Sequence, residues 1–220
     1  MATTLFGFWR SLATFRVRIA LNLKGIAFDE VAIDLLKGEQ LSESYRTVNP
    51  QMVVPALVVG DSPALTQSLA IIDYLDETHP QPPLLPVAPR DRAYVRMLAQ
   101  IVACDAHPLI VPRVRNYLTD EFKLDEPARL KWIRHWSSKA LEAIETQLAA
   151  RASAGKFCQG NAPTLADICL VSHVEGARLF KFDITAYPIA VGIVDECLKI
   201  DAFALAHPLR QPGAPPNPAH

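Results

Sequence analysis

Hydrophobic spacing in the first third of the chain alternates between two periods. Residues 3–8 are short, apolar and aromatic, as a buried strand is. Over residues 13–24, Phe15, Ile19 and Leu23 recur at i, i+4 and i+8, and Gly25 follows where a helix stops. Phe28, Val31 and Ile33 mark a second strand, which makes the segment a βαβ unit with the helix as crossover. Asn49-Pro50 breaks the chain. Residues 53–59 form a β-branched run interrupted by Pro55, which demotes it to an edge strand or a bend, and Gly60-Asp61 turns it toward Ala64-Leu65. Leu69, Ile72 and Leu75 then give residues 67–78 an apolar helical face. The predicted order is βαβ followed by ββα.

Residues 80–89 hold Pro80, Pro82, Pro83, Pro86 and Pro89, so neither helix nor sheet can run through them. They predict a domain boundary, with one domain over 1–79, a linker over 80–89 and a second domain over 90–220. Beyond the linker the periodicity is helical, over about 90–118, 127–150, 164–180 and 189–203. Thr164-Leu165-Ala166-Asp167 is close to a capping box, with the acid at the positive end of the helix dipole. From Pro208 onward the chain is proline-rich and predicted to fray.

Composition narrows the function classes. Half the residues are apolar, yet no run approaches the ~20 that a membrane span needs. The N-terminus lacks the basic start and apolar run of a secretory signal, which predicts a cytoplasmic protein. Cys104, Cys158, Cys169 and Cys197 show no paired spacing and read as reduced thiols, not as a disulfide framework or zinc site. A formal net charge of −1 provides no overall field for nucleic acid or an anionic membrane. Neither a Ser/His/Asp arrangement nor metal-ligand spacing is visible, so hydrolytic and metal mechanisms rank low.

Several segments together resemble a known family. Arg10-Ser11 followed by Phe15-Arg16-Val17-Arg18-Ile19-Ala20-Leu21, the stretch from Asn49-Pro50 to Val54-Pro55, Gln67-Ser68-Leu69-Ala70-Ile71-Ile72, and Thr164-Leu165-Ala166-Asp167 resemble the zeta class of glutathione transferases. That class includes maleylacetoacetate and maleylpyruvate isomerases. The likeness runs in order from Leu5 to about Gln211. It implies an α+β protein: an N-terminal thioredoxin-like domain, βαβ-ββα, followed by an all-α C-terminal domain. It also implies glutathione as cofactor, a homodimer, and a cis-trans isomerisation of an unsaturated diacid. A transferase acting on halogenated or other electrophiles, and a binding module without catalysis, are the alternatives. The chain departs from the family pattern at Leu12 and Ala13, where a hydroxyl and a cysteine are usual. It departs again at Ile110 and Val111, after His107-Pro108, where the isomerases often carry two asparagines.

Each matched residue has a chemical reading and a plainer one. Val54, just before Pro55, offers an N–H and C=O to the tripeptide's backbone; the family implies a cis proline, and an ordinary edge strand is the alternative. Gln67-Ser68 opens a helix whose free N–H groups suit the γ-glutamyl carboxylate, although Ser68 is equally suited to capping. Gln40 matches a glutathione-contacting position of the family, as does His107; by themselves they read as a solvated loop residue and a structural histidine. A free thiol has a pKa of about 8.5 and needs help to ionise at neutral pH. Ser11, ahead of the first helix, either donates its hydroxyl to that sulfur or merely caps the helix, and the resemblance favours the first. Arg10, Arg113 and Arg178 resemble substrate-contacting positions, since guanidinium groups grip carboxylates bidentately. On periodicity alone Arg113 and Arg178 lie on solvated helix faces. Trp132, Trp136 and Asp167 read as structural.

Overall fold

The computed structural model describes residues 2–151 and 155–215. The chain separates into two compact units, Met1–Pro83 with Lys199–His220, and Leu84–Leu198. In the first unit the elements run β1 (Thr3–Gly7), α1 (Leu12–Leu23), β2 (Asp29–Ala32), a 3-10 turn (Glu39–Leu41), α2 (Glu43–Val48), β3 (Ala56–Val59), β4 (Leu65–Thr66) and α3 (Ser68–Thr78). The sheet order is β2-β1-β3-β4, with β1 parallel to β2 and antiparallel to β3, and β3 antiparallel to β4. This is the thioredoxin-like order that the periodicities predict.

α2 is an element that periodicity does not show. At six residues it is too short to display a 3.6-residue repeat, but its start is chemically marked. Ser42 is its N-cap, accepting from the Tyr45 N–H at 3.2 Å.

The core runs through α1. Phe15, Val17, Ile19, Ala20 and Leu21 are fully buried, as are Leu5 of β1, Leu57 of β3 and Ile71 of α3. α1 also buries Arg16 and Arg18, each 1 % exposed, so it lacks the polar face of a surface helix. The C-terminal segment of the same unit covers another part of α1. α10 (Asp201–Ala206) returns to α1, where the Asn22 amide donates to the Ala202 carbonyl at 3.0 Å and the Phe15 ring meets His207 edge-on at 6.0 Å. The compact units therefore divide the chain differently from the expected 90–220 domain. The chain after Leu198 belongs with the N-terminal unit because Phe203, fully buried, and His207 find their partners there. At the other end of α1, Lys24 Nζ is buried and donates to Asp76 Oδ1 of α3 and to the Pro82 carbonyl, both at 2.6 Å. That triad fixes the exit from α3 into the proline segment, in which the Gln81–Pro82 peptide is cis.

The second unit holds α4 (Pro89–Gln100), α5 (His107–Ile110), α6 (Pro112–Asp120), α7 (Glu126–Ala149), α8 (Leu165–Leu179) and α9 (Pro188–Cys197). The periodic stretch 90–118 is three helices, not one. Pro108 cannot donate to the carbonyl four residues back, and residues 101–106 widen into a π-helix in which the His107 N–H reaches the Val102 carbonyl. Pro112 then starts α6 at its first position, where the missing N–H costs nothing. Asp167 is the buried acid of a complete capping box, accepting from the N–H and hydroxyl of Thr164 at 2.7 and 2.8 Å and from the Cys158 N–H at 2.8 Å. All four cysteines are free thiols, and only Cys104 is exposed. Among the described residues no helix is long and apolar enough to cross a membrane.

Packing dictates the glycine at position 7. A Cβ on Gly7 would sit 2.5 Å from Thr14 Cγ2 and 2.6 Å from Glu30 Oε1. Glu30 cannot swing away without leaving its ion pair with Arg18. Gly7→Ala is expected to destabilise the protein by roughly 1–3 kcal/mol, as overpacked cores do, in a urea unfolding titration. A change below about 0.5 kcal/mol would show that the strand shifts freely, since that is the range of ordinary surface substitutions.

Candidate active site

The sheet register brings four chain segments to one end of the first unit. Phe6 pairs with Ala56 and Ala56 with Thr66, while Gly7 pairs with Ala32. The segments leaving β1, β2 and β4, and the one entering β3, therefore share an edge. They carry Arg10 and Ser11, Gln40, Gln67 and Ser68, and Val54-Pro55 respectively. A small core of Phe8, Ile33, Tyr45 and Val54, with Trp9, Leu35 and Val48 against it, ties together the segments leaving β1 and β2 and the one entering β3.

Ser11 is the N-cap of α1, and its Oγ accepts from the Thr14 N–H at 3.2 Å. Accepting uses a lone pair and leaves the hydroxyl proton to donate elsewhere, so capping and thiol activation are compatible in one residue. A tight turn, Ser11 N–H to Phe8 carbonyl at 3.0 Å, delivers it there. Arg10 is half-buried, with its guanidinium 5.8 Å from the Trp9 ring centroid, and burial holds its pKa below the ordinary arginine value. It remains a cation at any physiological pH.

The Val54–Pro55 peptide is cis. The Val53 carbonyl is pinned by two donors, the Tyr45 hydroxyl at 2.7 Å and the Asn49 amide at 2.6 Å. Among the described residues, no turn, loop or side-chain hydrogen bond engages the N–H or C=O of Val54. Burial pushes the Tyr45 phenol up to about 12, so it stays protonated and serves as a structural donor to Val53, with no capacity to act as a base.

α3 starts without a side-chain cap. Its N-cap is Gln67, held at φ 68, and the amide of Gln67 instead donates to the Gln51 side chain at 2.9 Å. A non-glycine residue in this region costs of order 1–3 kcal/mol, and such strain gathers at sites that bind. The Ser68 Oγ accepts from the buried Arg16 guanidinium at 3.3 Å. The first N–H groups of α3 thus lack a capping acceptor from Gln67 and stand ready for a carboxylate. Gln40, in the 3-10 turn, buries its Oε1 without a hydrogen-bond partner among the described residues. A buried carbonyl oxygen of that kind is costly unless a ligand supplies the donor.

The remaining sequence-predicted residues lie in the second unit. His107 joins the π-helix to α5. Arg113 is exposed in the first turn of α6, and among the described residues no carboxylate pairs with it. Arg178 differs. It donates to Glu175 Oε1 at 2.6 Å and to Asp195 Oδ1 of α9 at 2.7 Å. Burial alone would lower its pKa, but the bonds to Asp195 and Glu175 outweigh that and raise it. Arg115 of α6 lies 5.6 Å from the Phe180 ring at the end of α8, so the two arginine-bearing segments approach each other. Trp132 donates its indole N–H to the Leu109 carbonyl at 2.7 Å, a structural role.

Comparison with known proteins decides the family. Residues 5–83 match the model of the glutathione S-transferase N-terminal domain. Maleylpyruvate isomerase of Ralstonia sp is 44 % identical over 208 residues, which cover 94 % of this chain and 98 % of the relative. A maleylacetoacetate isomerase from Methylobacterium extorquens AM1, solved with bound malonate and glutathione, superposes with a TM-score of 0.94 at 53 % identity, covering 96 % of this chain and 99 % of that one. The holo structure of a maleylpyruvate isomerase, a bacterial glutathione S-transferase of the zeta class, gives 0.94 at 42 % identity over 96 % of this chain and all of the other. The chain belongs to the zeta class of the glutathione S-transferase family.

In this zeta-class transferase the supporting residues that sequence reasoning missed are Tyr45, Asn49 and Gln51, which hold the segments bearing Val53 and Gln67. A Ser42 cap three residues before Tyr45 is the sequence signal that could have revealed the first. Tyr45→Phe removes one of two donors to the Val53 carbonyl. It is expected to cost about 1 kcal/mol, the net worth of a typical hydrogen bond, in the midpoint of denaturant unfolding. No shift in that midpoint would mean that Asn49 alone fixes the segment.

Proposed function

We propose that this transferase is a glutathione-dependent cis-trans isomerase of an unsaturated diacid of the maleylacetoacetate or maleylpyruvate type. The observation that carries the reading is the shared sheet edge, where the Ser11 hydroxyl, the unengaged Val54 backbone and the uncapped start of α3 converge. The residues fit glutathione. Val54 would pair with its backbone, Gln67 and Ser68 with the γ-glutamyl carboxylate at the α3 terminus, and Gln40, whose buried oxygen needs a donor, with an N–H group. Pro55 holds Val54 in place, and His107 is kept as a further glutathione contact.

When bound, glutathione supplies a thiolate that adds to the cis double bond, sends the π electrons onto the conjugated oxygen, and leaves by elimination once the single bond has rotated. Ser11 donates its hydroxyl to the sulfur, while the α1 N-terminus adds positive potential. Lowering the thiol pKa by about two units corresponds to ~2.7 kcal/mol. Arg10, next to Ser11, stabilises the developing enolate and grips a carboxylate. Arg113 has a guanidinium not committed to any described carboxylate, so it serves as a carboxylate clamp. Arg178 is assigned the same role, with its orientation set by Glu175 and Asp195. The Methylobacterium isomerase, solved with both malonate and glutathione bound, supports a diacid substrate. We further infer a cytoplasmic homodimer that engages no nucleic acid, since a net charge of −1 offers no field for a polyanion.

Purified protein mixed with maleylpyruvate or maleylacetoacetate should consume the enol absorbance only when glutathione is present, with the thiol count unchanged. Ser11→Ala should lower kcat/KM by roughly 100-fold, the thiolate fraction lost if the pKa rises by about two units. Stoichiometric thiol loss would instead mark a conjugating transferase. No glutathione-dependent change would remove the isomerase reading.

A further inference from the structure

We propose that the Arg18–Glu30 ion pair is a positioning device for the thiol-activating serine, acting through the Trp9 carbonyl; the proposal rests on the role given to Ser11 above. Arg18 lies in α1 and is 1 % exposed, yet its fork points neither to solvent nor along its own helix. Nε donates to Glu30 Oε2 at 2.7 Å and one terminal nitrogen to Oε1 at 2.5 Å, a bidentate pair across to β2. The other terminal nitrogen reaches the Trp9 carbonyl at 3.4 Å. Trp9 sits in the Phe8-to-Ser11 turn, one peptide before Arg10 and two before the hydroxyl.

Three features make this more than a buried ion pair holding helix to strand. A guanidinium is planar, so engaging both Glu30 oxygens fixes the plane in which the remaining arm lies, and that arm meets one backbone oxygen. A trans peptide holds its C=O and the next N–H on opposite sides, so pinning the Trp9 carbonyl sets the orientation of the Trp9–Arg10 peptide. From that peptide both the Arg10 side chain and the Ser11 cap are launched. Gly7 leaves room for this geometry, since a Cβ there would sit 2.6 Å from Glu30 Oε1 as well as 2.5 Å from Thr14 Cγ2. A pair serving only to staple α1 to β2 would not need the third arm. Burying two charges is weak evidence for stability, because desolvation offsets much of the attraction. Orientation of a reacting group is a better account, since displacement of about 1 Å can cost 100-fold in rate.

The test is the pKa of the thiol in the bound glutathione, read from thiolate ultraviolet absorbance across pH, alongside glutathione affinity by calorimetry and the melting temperature. Arg18→Lys keeps a positive charge near Glu30 but cannot hold the fork and reach Trp9 together. Glu30→Gln keeps the shape and one accepting oxygen, and its side chain is 17 % exposed, so it tolerates the change in solvation. Both variants should raise the thiol pKa by about one unit, a tenfold smaller thiolate fraction below that pKa, with glutathione affinity held within about threefold. Ser11→Ala, measured in parallel, should raise it further. If Ser11→Ala raises the thiol pKa while Arg18→Lys and Glu30→Gln lower only the melting temperature, the pair is a staple and this proposal is overturned. If Ser11→Ala leaves the thiol pKa where it was, the reading of Ser11 fails and the positioning role falls with it.

Discussion

The register of the four-stranded sheet is the constraint on which everything else depends. Phe6 opposite Ala56, Ala56 opposite Thr66 and Gly7 opposite Ala32 bring the segments after β1, β2 and β4 and the one before β3 to a single edge. A one-residue slip in any ladder would turn inward-facing side chains such as Leu5 and Leu57 toward the other face, so burial enforces the register. The site is thus assembled as a by-product of core packing. Its precision comes from a few polar anchors: Tyr45 and Asn49 on the Val53 carbonyl, Arg16 on Ser68, and Arg18 on Trp9.

Two of the buried thiols of the chain are held protonated by their surroundings. Burial, together with the charge of Asp167, pushes the Cys158 thiol well up, and the same causes in the same order raise Cys197. Asp167 is itself raised by desolvation, although bonds from Cys158 and Thr164 oppose the shift. These groups stabilise a helix start and a buried loop, and none is poised as a nucleophile. The first unit, by contrast, brings a hydroxyl at a helix N-terminus, a half-buried arginine next to it in sequence and the backbone of Val54 to one end of the sheet. That combination holds an anion while leaving room for a reacting partner.

Much of this was legible in the sequence. The β1, α1, β3 and α3 segments follow from periodicity and from Pro55 and Gly25, and Ser11 and Ser68 fall at helix starts as their neighbours predict. What was not legible has physical reasons. α2 is shorter than two helical turns, so only the Ser42 cap marks it. The stretch 90–118 keeps its apolar period through a π-helix and two proline starts, which breaks the backbone without breaking the pattern. The return of α10 to α1 is a long-range packing choice, the Asn22 amide meeting the Ala202 carbonyl, that no local pattern announces. The double ion pair of Arg178 with Glu175 and Asp195 needs α9 beside α8, which no spacing within one helix can announce for Asp195.

The central claim is that a sulfur anion rests against the hydroxyl of Ser11. A crystal structure of the protein with glutathione bound measures this directly, through the distance from the sulfur to the nearest donor. The account predicts Ser11 Oγ as that donor, within about 3.5 Å, and with the Thr14 N–H still capped. A sulfur resting nearer to another group, or a Ser11 hydroxyl turned away from it, would contradict the account.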